Sequence, residues 1–513
     1  MKKIITSKIT LICCLVLTTM NACKDLDEEI YSSYSDANFP STPDQFAALT
    51  GPVYVASQKF MDNNYFDLQE TGTDEIFVPS RGGDWYDGGK WKTMHYHEWT
   101  SSHELMRRTW DWGFGAIATC NRVLELLENA PETSNKQQTL AEIKTMRAWY
   151  YFLMMDSFGD VPIITTYDDN AAVPNQEPRA KVFEFIANEL ETNAPELSAD
   201  VNVATYGKPT QWMAYTLLAR MYLNAEVYTG TGQWDKVVEN CDKVIASNKY
   251  ALASTGAYFD MFMPDNGPQD AEPIFSIPFD AAKAKGQLLF KKMLHQSGRE
   301  KFGLNSTPWN GWAAQPAFFD MFEDGDIRKN QWLYGQQYDS NGNPLSYNGV
   351  PSVLDPYYFP TYDVGGADNL GRLAGARNMK YYPDPNAQGN DANNDIIIFR
   401  YADVLLMKAE AILRGSTKGT MADAVDLVNQ IRDRAYNNDP EKRFSTLTLM
   451  DIYHERGREF VIEMVRRQDM IRFGTFDDPM LFKGQTNLAI EKLFPIPATA
   501  IASNSNLVQN PGY

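Results

Sequence analysis

The run Ala148-Trp149-Tyr150-Tyr151-Phe152-Leu153-Met154-Met155 carries an apolar or aromatic side chain at every position. A helix that is apolar on all sides cannot lie on a surface, so it has to be covered by several others. No later stretch is long and apolar enough to span a bilayer, so the cover must come from the rest of the chain.

Covering helices are legible on both sides of it. Thr42-Pro43-Asp44-Gln45 forms a capping box with proline at the first helical position, opening a helix near Phe46-Ala47-Ala48-Leu49. Trp110, Phe114, Ile117, Asn121 and Leu124 recur at spacings of four and three, which places them on one helix face. Val182, Phe183, Ile186 and Leu190 share another face. Thr210, after Pro209, caps a helix expected to continue through Leu217, Leu218 and Met221 to Val227. Between Leu218 and Val238, and again between Leu406 and Val425, two apolar helices are joined by a short polar loop that contains glycine. Repeated hairpins of this size predict tetratricopeptide-type units, which need neighbours to bury their faces. The expected fold class is mostly α: a tetratricopeptide-like helical hairpin scaffold, an alpha-alpha superhelix, with long irregular insertions. Length alone would allow two or three domains, but this pattern favours one large helical domain.

Residues 62 to 103 and 250 to 395 do not join the scheme. Both are rich in Gly, Asn, Asp, Pro and aromatics without a sustained helical period, and irregular segments of such length are usually functional.

Upstream, Met1-Lys2-Lys3, an apolar stretch from Ile9 to Leu17, and Ala22-Cys23 read as a lipoprotein leader, with Cys23 as the lipidation site and an acidic string after it. Met20 stands where leucine is usual in such a lipobox, and an ordinary cleaved secretory peptide is the alternative. Burying acyl chains contributes about 0.8 kcal/mol per methylene, so a multiply acylated cysteine holds a soluble domain on a membrane. Removal of residues 1–22 takes three lysines and no acid, moving the formal charge from −19 to −22. Such a surface repels phosphate backbones, which argues against nucleic acid and for neutral ligands. Cys120 and Cys241 lie inside helical patterns and are expected to be small buried apolar residues.

The candidate binding residues are aromatics in the irregular segments. A sugar ring has an apolar C–H face and a rim of hydroxyls, so it pairs with a flat ring beneath and with Asn, Asp, Arg or Gln at its edge. Asp74, Arg81, Trp85, Tyr86 and Trp91 supply that mixture in and beside the glycine-broken segment 81–91. Trp309-Asn310-Gly311-Trp312 is a second supply, with Trp332, Tyr334, Tyr347 and Arg372 beyond it. The expected glycan-binding set is Asp74, Arg81, Trp85, Trp91, Trp309, Asn310, Trp312 and Arg372. The opposite reading, in which these tryptophans only pack the loops onto the helices, stays open.

Other chemistry finds little support. His95-Tyr96-His97 with His103 lacks a helical HExxH arrangement, so no metal ligands are assigned. Asp384-Pro385-Asn386-Ala387-Gln388-Gly389, running on to Asp395, imitates a calcium loop, and a structural calcium there is the only cofactor considered. No catalytic residues are assigned. A glycosidase pair such as Asp74 and Glu75 is the alternative from another function class, and peptide cargo is the alternative ligand.

The chain also resembles the RagB/SusD family over nearly its whole length. The resemblance is carried by Trp112-Gly113-Phe114, Arg147-Ala148-Trp149-Tyr150-Tyr151-Phe152 and Phe158-Gly159-Asp160-Val161-Pro162. In the C-terminal half it is carried by Arg400-Tyr401-Ala402-Asp403, by residues 466–474, by Phe494-Pro495-Ile496-Pro497 and by the terminal Asn510-Pro511-Gly512-Tyr513. It implies an outer-membrane lipoprotein facing the cell exterior that binds a nutrient, commonly a glycan, without catalysis and sits as a lid on a SusC-like TonB-dependent transporter. The expected layout is a leader (1–22), a tether (23–40), an N-terminal helical half (41–249), a loop-rich ligand-binding region (250–395) and a C-terminal half (396–513), packed as one structural domain. Arg456, Glu459, Glu463, Arg466 and Arg467 are expected on neighbouring turns of one helix, held by ion pairs at three- and four-residue spacing.

Overall fold

The computed structural model describes residues 42–167, 173–364, 369–486 and 492–513. The leader, Cys23 and the tether lie outside the described residues.

The frame begins with α1 (Pro43–Gln58), where the Thr42 hydroxyl accepts from the Gln45 amide and the Gln45 side chain accepts in return from the Thr42 amide. Two short helices follow in the first irregular segment, α2 (Tyr65–Glu70) and α3 (Lys90–Tyr96). At six and seven residues they are too short to show a repeating stripe, which is why periodicity does not reveal them.

The main stack is α4 (Glu104–Asn129), α5 (Lys136–Phe158), α6 (Arg179–Asn193), α7 (Gln211–Leu223) and α8 (Trp234–Ala246), each packed on the next. In α5 every residue from Thr145 to Phe158 is buried, as an all-apolar helix requires. Asn121 of α4 is a core amide: it donates to the Ile164 carbonyl at 2.9 Å and accepts from Arg147 at 2.7 Å. Cys120 and Cys241 are free thiols in the core. Thr210 caps α7, but α7 ends at Leu223 rather than running to Val227. The Asn224 amide turns back to the Arg220 carbonyl and accepts from Arg472, and a separate short helix follows.

After α8 the chain leaves on its long excursion and returns through an antiparallel ladder between β1 (Pro273–Ile277) and β2 (Ile396–Arg400). Then come α9 (Tyr401–Leu413), α10 (Met421–Ala435), α11 (Leu449–Glu459) and α12 (Arg466–Phe473). Helix α9 packs on α8, so the stack closes across the excursion as though the intervening residues were absent. One hydrophobic core runs from Phe46 through Leu507 and joins both halves.

The charged residues expected on one helix are split between two. Helix α11 ends at Glu459, and the turn before α12 places Ile462 at φ +61° and Met464 at φ +58°. A β-branched residue rarely adopts that conformation, and here polar contacts hold it. Glu463 reaches Arg400 and Lys380, and the Met464 amide donates to Glu70 at 2.6 Å. The ion pairs are long-range rather than local. Arg456 meets Asp403 and Asp469, Arg466 meets Asp74, and Arg467 meets Asp156. Every one of those arginines is buried, so each needs partners aimed at it from other elements.

Candidate functional site

The glycine-broken segment is a coil of left-handed backbone. Gly82, Gly83, Trp85, Asp87, Gly88 and Gly89 all have positive φ. At Trp85, with φ +63°, this conformation costs about 1–2 kcal/mol and needs fixing contacts. They come from the excursion. The Trp85 indole N–H donates to the Trp309 carbonyl at 2.8 Å, and the ring lies across Gly311, where an added Cβ would fall 2.4 Å from it. Only glycine permits that approach.

This docking brings three of the expected tryptophans to one place. Trp85 sits 5.7 Å from Trp91 and 6.4 Å from Trp309, centroid to centroid, and the three line a cleft of about 680 Å³. Trp85 and Trp309 are half-buried, whereas Trp91 is nearly covered and donates its indole N–H to Asp87 at 2.7 Å. Acidic groups stand around the rings. Asp84 at the rim pairs with Arg372 at 2.5 Å, which raises the Arg372 pKa above its usual range. Asp67 at the base binds Lys292 at 2.6 and 2.8 Å. Burial nevertheless pushes the Asp67 carboxyl up, against the downward pull of Lys292.

Four of the expected ligand contacts, Trp312, Arg81, Asn310 and Asp74, do not line this cleft, and Arg372 reaches it only through Asp84. Trp312 has no exposed surface; it stacks on Phe66 of α2 at 5.6 Å and 16° because α2 itself is wholly buried and offers a flat partner. Arg81 is equally sealed and donates to the carbonyls of Gly311 and Gly371. Asn310 is buried between Arg377, which donates to its side-chain oxygen, and the Arg372 carbonyl, to which it donates. Asp74 lies outside the cleft and forms a two-pronged pair with Arg466 at 2.7 Å on both oxygens. Trp332 is also a core ring, while Tyr334 stays exposed beyond the cleft. Exposed and buried rings share the same glycine-rich context, so composition alone does not separate them.

Residues that sequence reasoning missed complete the cleft: Asp62, Asn63, Asp67, Lys292, Gln296 and Thr307. They lie within the two irregular segments but, except for Thr307 two positions before Trp309, far along the chain from any of the tryptophans in the cleft, so the aromatic signal did not mark them. Asp84 and Asp87, lying inside the segment already singled out, were the more recoverable pair.

The remaining candidate chemistry resolves differently. Glu75, the partner proposed for Asp74, is buried away from the cleft, so the two do not flank a ligand space. Asp384 accepts from the Asn386 and Asn393 amides, and Asp395 accepts from Tyr206 and the Phe279 amide. The carboxylates of the calcium-like run therefore tie up the chain itself. His95 and His97 bond to the Leu481 and Gly72 carbonyls, and among the described residues no three such side chains gather as a metal site.

Comparison with known proteins follows the same division of the chain. A model of the SusD family matches residues 310–513, and one described as starch-binding, associating with outer membrane, matches residues 25–223. Similar curated proteins include the starch-binding protein SusD of Bacteroides thetaiotaomicron, 26% identical over 445 residues that cover 77% of this chain and 76% of that protein. A SusD-like protein of Bacteroides ovatus is 25% identical over 492 residues, covering 90% and 81%. Among solved structures, surface glycan-binding protein A from Bacteroides thetaiotaomicron in complex with laminarihexaose superposes with a TM-score of 0.74 at 22% identity, over 92% of this chain and 100% of its own. A SusD superfamily protein from Parabacteroides distasonis gives 0.75 at 22% over the same shares. At that identity the structures establish a common fold.

Proposed function

Since the chain belongs to the SusD family by both of its halves, we propose that it captures a neutral glycan at the cell surface and passes it, unaltered, to a SusC-like TonB-dependent transporter. Acylation of Cys23 would tether it to the outer membrane, facing outward. The outer-membrane, starch-binding family that matches the N-terminal half, and the relatives named for starch binding or solved with laminarihexaose, support the ligand class and the location. Among the described residues no helix is long and apolar enough to cross a membrane.

The observation that carries the proposal is the cleft where Trp85 and Trp309 keep part of each ring open beside Asp84, Asp87, Asn63 and Gln296. Rings offer stacking and the polar groups offer hydroxyl partners, which is the pairing a sugar demands. One stacked ring covering about 50 Å² contributes roughly 1–1.5 kcal/mol, so a single contact is weak and several on one chain add up. Capture without turnover suits the acids present. Asp84 is engaged by Arg372, Asp87 by the Trp91 indole, Asp67 by Lys292 and Asp62 by the side chain of neighbouring Asn63, so each has a partner within the protein.

Isothermal titration of the protein from residue 24 onward against neutral malto- and laminari-oligosaccharides tests the reading. Saturable binding that Trp309→Ala weakens, with no hydrolysis of the sugar, is the expected result. Silence toward every neutral glycan, or turnover of one, would overturn it.

A further inference from the structure

A second cleft of about 540 Å³ lies on the other side of the Asp62 loop from the tryptophan cleft, and Asp62 lines both. The shared wall is the short link between α1 and α2. Asn63 faces the first cleft and Asn64 the second. Three cations fix this wall from different elements. Arg108 donates to the Asp62 carbonyl at 3.2 Å, Lys292 to the Met61 carbonyl at 2.6 Å, and Lys90 to the Asn63 side chain at 2.6 Å. A wall pinned in this way keeps the two spaces in a constant relation, so that one ligand can meet both.

The lining of the second cleft also has groups to spare. The Lys59 and Lys285 side chains are exposed and make no hydrogen bond or ion pair among the described residues, where Asp111 pairs with Arg107 at 3.0 Å. The edge of Trp112 reaches the floor, its orientation set by a 2.8 Å hydrogen bond from the indole N–H to the Ala56 carbonyl. Gly286, at φ +129°, brings the excursion against the end of α1, where a Cβ would come within 3.1 Å of the Gln58 carbonyl. The result is a trough with an apolar floor and with ammonium donors and a carboxylate acceptor at its sides. Such a lining pairs the apolar C–H face of a sugar with the floor and its hydroxyl rim with the charged sides.

We propose that this trough is an extension subsite. A neutral oligosaccharide seated on Trp85 and Trp309 continues over Asp62, and its further sugar units take hydrogen bonds from Lys59 and Lys285. The proposal rests on the glycan-capture reading and adds chain-length selectivity to it. Short oligosaccharides use the tryptophan cleft alone, and longer ones engage both spaces at once, so that the second set of contacts forms at high effective concentration.

The test is a titration series with malto- and laminari-oligosaccharides from two to eight units, on the wild-type protein and on the Lys59→Ala/Lys285→Ala double variant. Both lysines are exposed, so the fold is expected to survive, and an unchanged Tm checks that. Wild-type affinity should keep rising beyond the length that fills the first cleft. The double variant should lose about tenfold for the longest oligosaccharides, equivalent to two weak hydrogen bonds, and nothing for the shortest. Lys285→Glu alone should reproduce the trend. If short chains bind and the variants leave the ratio of long to short affinity untouched, the extension subsite is wrong while capture at the tryptophans stands. If no length binds the wild type, capture itself fails and the extension with it.

Discussion

Two regions of this molecule bury arginine completely, and they neutralise it in opposite ways. Where β2 meets α11, Arg400 bonds to Glu272, Glu459 and Glu463, and Arg328 bonds to Asp326, Glu455 and Glu459. Beneath the tryptophan cleft, Arg81 and Arg377 pair with no carboxylate among the described residues; they donate to the carbonyls of Gly311, Gly371, Ala374 and Gly375 and to the side chain of Asn310. The pKa shifts diverge accordingly. Burial pulls all four guanidiniums down, but the acids around Arg328 and Arg400 more than offset it, while nothing offsets it at Arg81 and Arg377. The difference teaches what each region is for. Charge paired with charge locks helices to one another, whereas a guanidinium that gathers backbone carbonyls sets the path of loops that have no secondary structure of their own.

Substitutions should separate the two roles. Arg400→Met takes a shared buried cation from Glu272, Glu459 and Glu463, leaving them to Arg434, Arg328 and Lys380, and is expected to lower unfolding free energy by about 3–5 kcal/mol, read by urea denaturation, with glycan affinity of the folded fraction unchanged. Trp312→Ala, which opens a void against Phe66 beneath the cleft, should cost a similar 3–5 kcal/mol of stability. A protein whose stability ignored the Trp312 change would mean that the ring is not core. Arg81→Met comes next. Orphaning the carbonyls of Gly311 and Gly371 should cost about 1–3 kcal/mol and also weaken glycan binding, because Gly311 supports the Trp85 ring. Equal affinity in Arg81→Met and wild type would refute the loop-setting role. The smallest effect belongs to Trp309→Ala, which should leave Tm in place and reduce affinity by about 1–1.5 kcal/mol, near tenfold.

Acidity sharpens the same contrast among the carboxylates. Burial raises the Asp403 pKa, but Arg220 and Arg456 outweigh it and bring it to about 2. Its contribution to stability is therefore complete above its unfolded pKa near 4 and is lost as the pH falls toward about 2. Glu70 runs the other way. Burial lifts it to about 7, and Glu75 beside it is raised well above the usual carboxylate range by burial and by Glu70. A carboxyl whose folded pKa is raised destabilises increasingly as the pH climbs from its unfolded value through its folded one. Glu75→Gln should accordingly raise Tm in alkaline buffer and leave it unchanged near pH 4, and thermal melts across that range would show the crossing or its absence.

Much of the frame is legible without coordinates because its signals are local. The capping box at Thr42, the stripe from Trp110 to Leu124, the all-apolar turns of α5 and the two hairpins each follow from residues a few positions apart. The split between α11 and α12 is not legible, because the sequence there keeps helical spacing. What breaks it is Glu463 reaching Arg400 and Lys380, and the Met464 amide reaching Glu70, all contacts between distant parts of the chain. The cleft divides along the same line. Composition singled out the segments that hold Trp85, Trp91 and Trp309, since glycine beside aromatic and acidic residues marks chain that does not enter the helical core. Which rings stay open was decided only when the excursion folded back: Trp312 found a flat partner in buried α2 and disappeared, while Trp309 stayed partly open. Periodicity and capping are properties of neighbouring residues and are written in their order. Exposure belongs to whatever arrives from elsewhere in the chain, and only the tertiary structure fixes it.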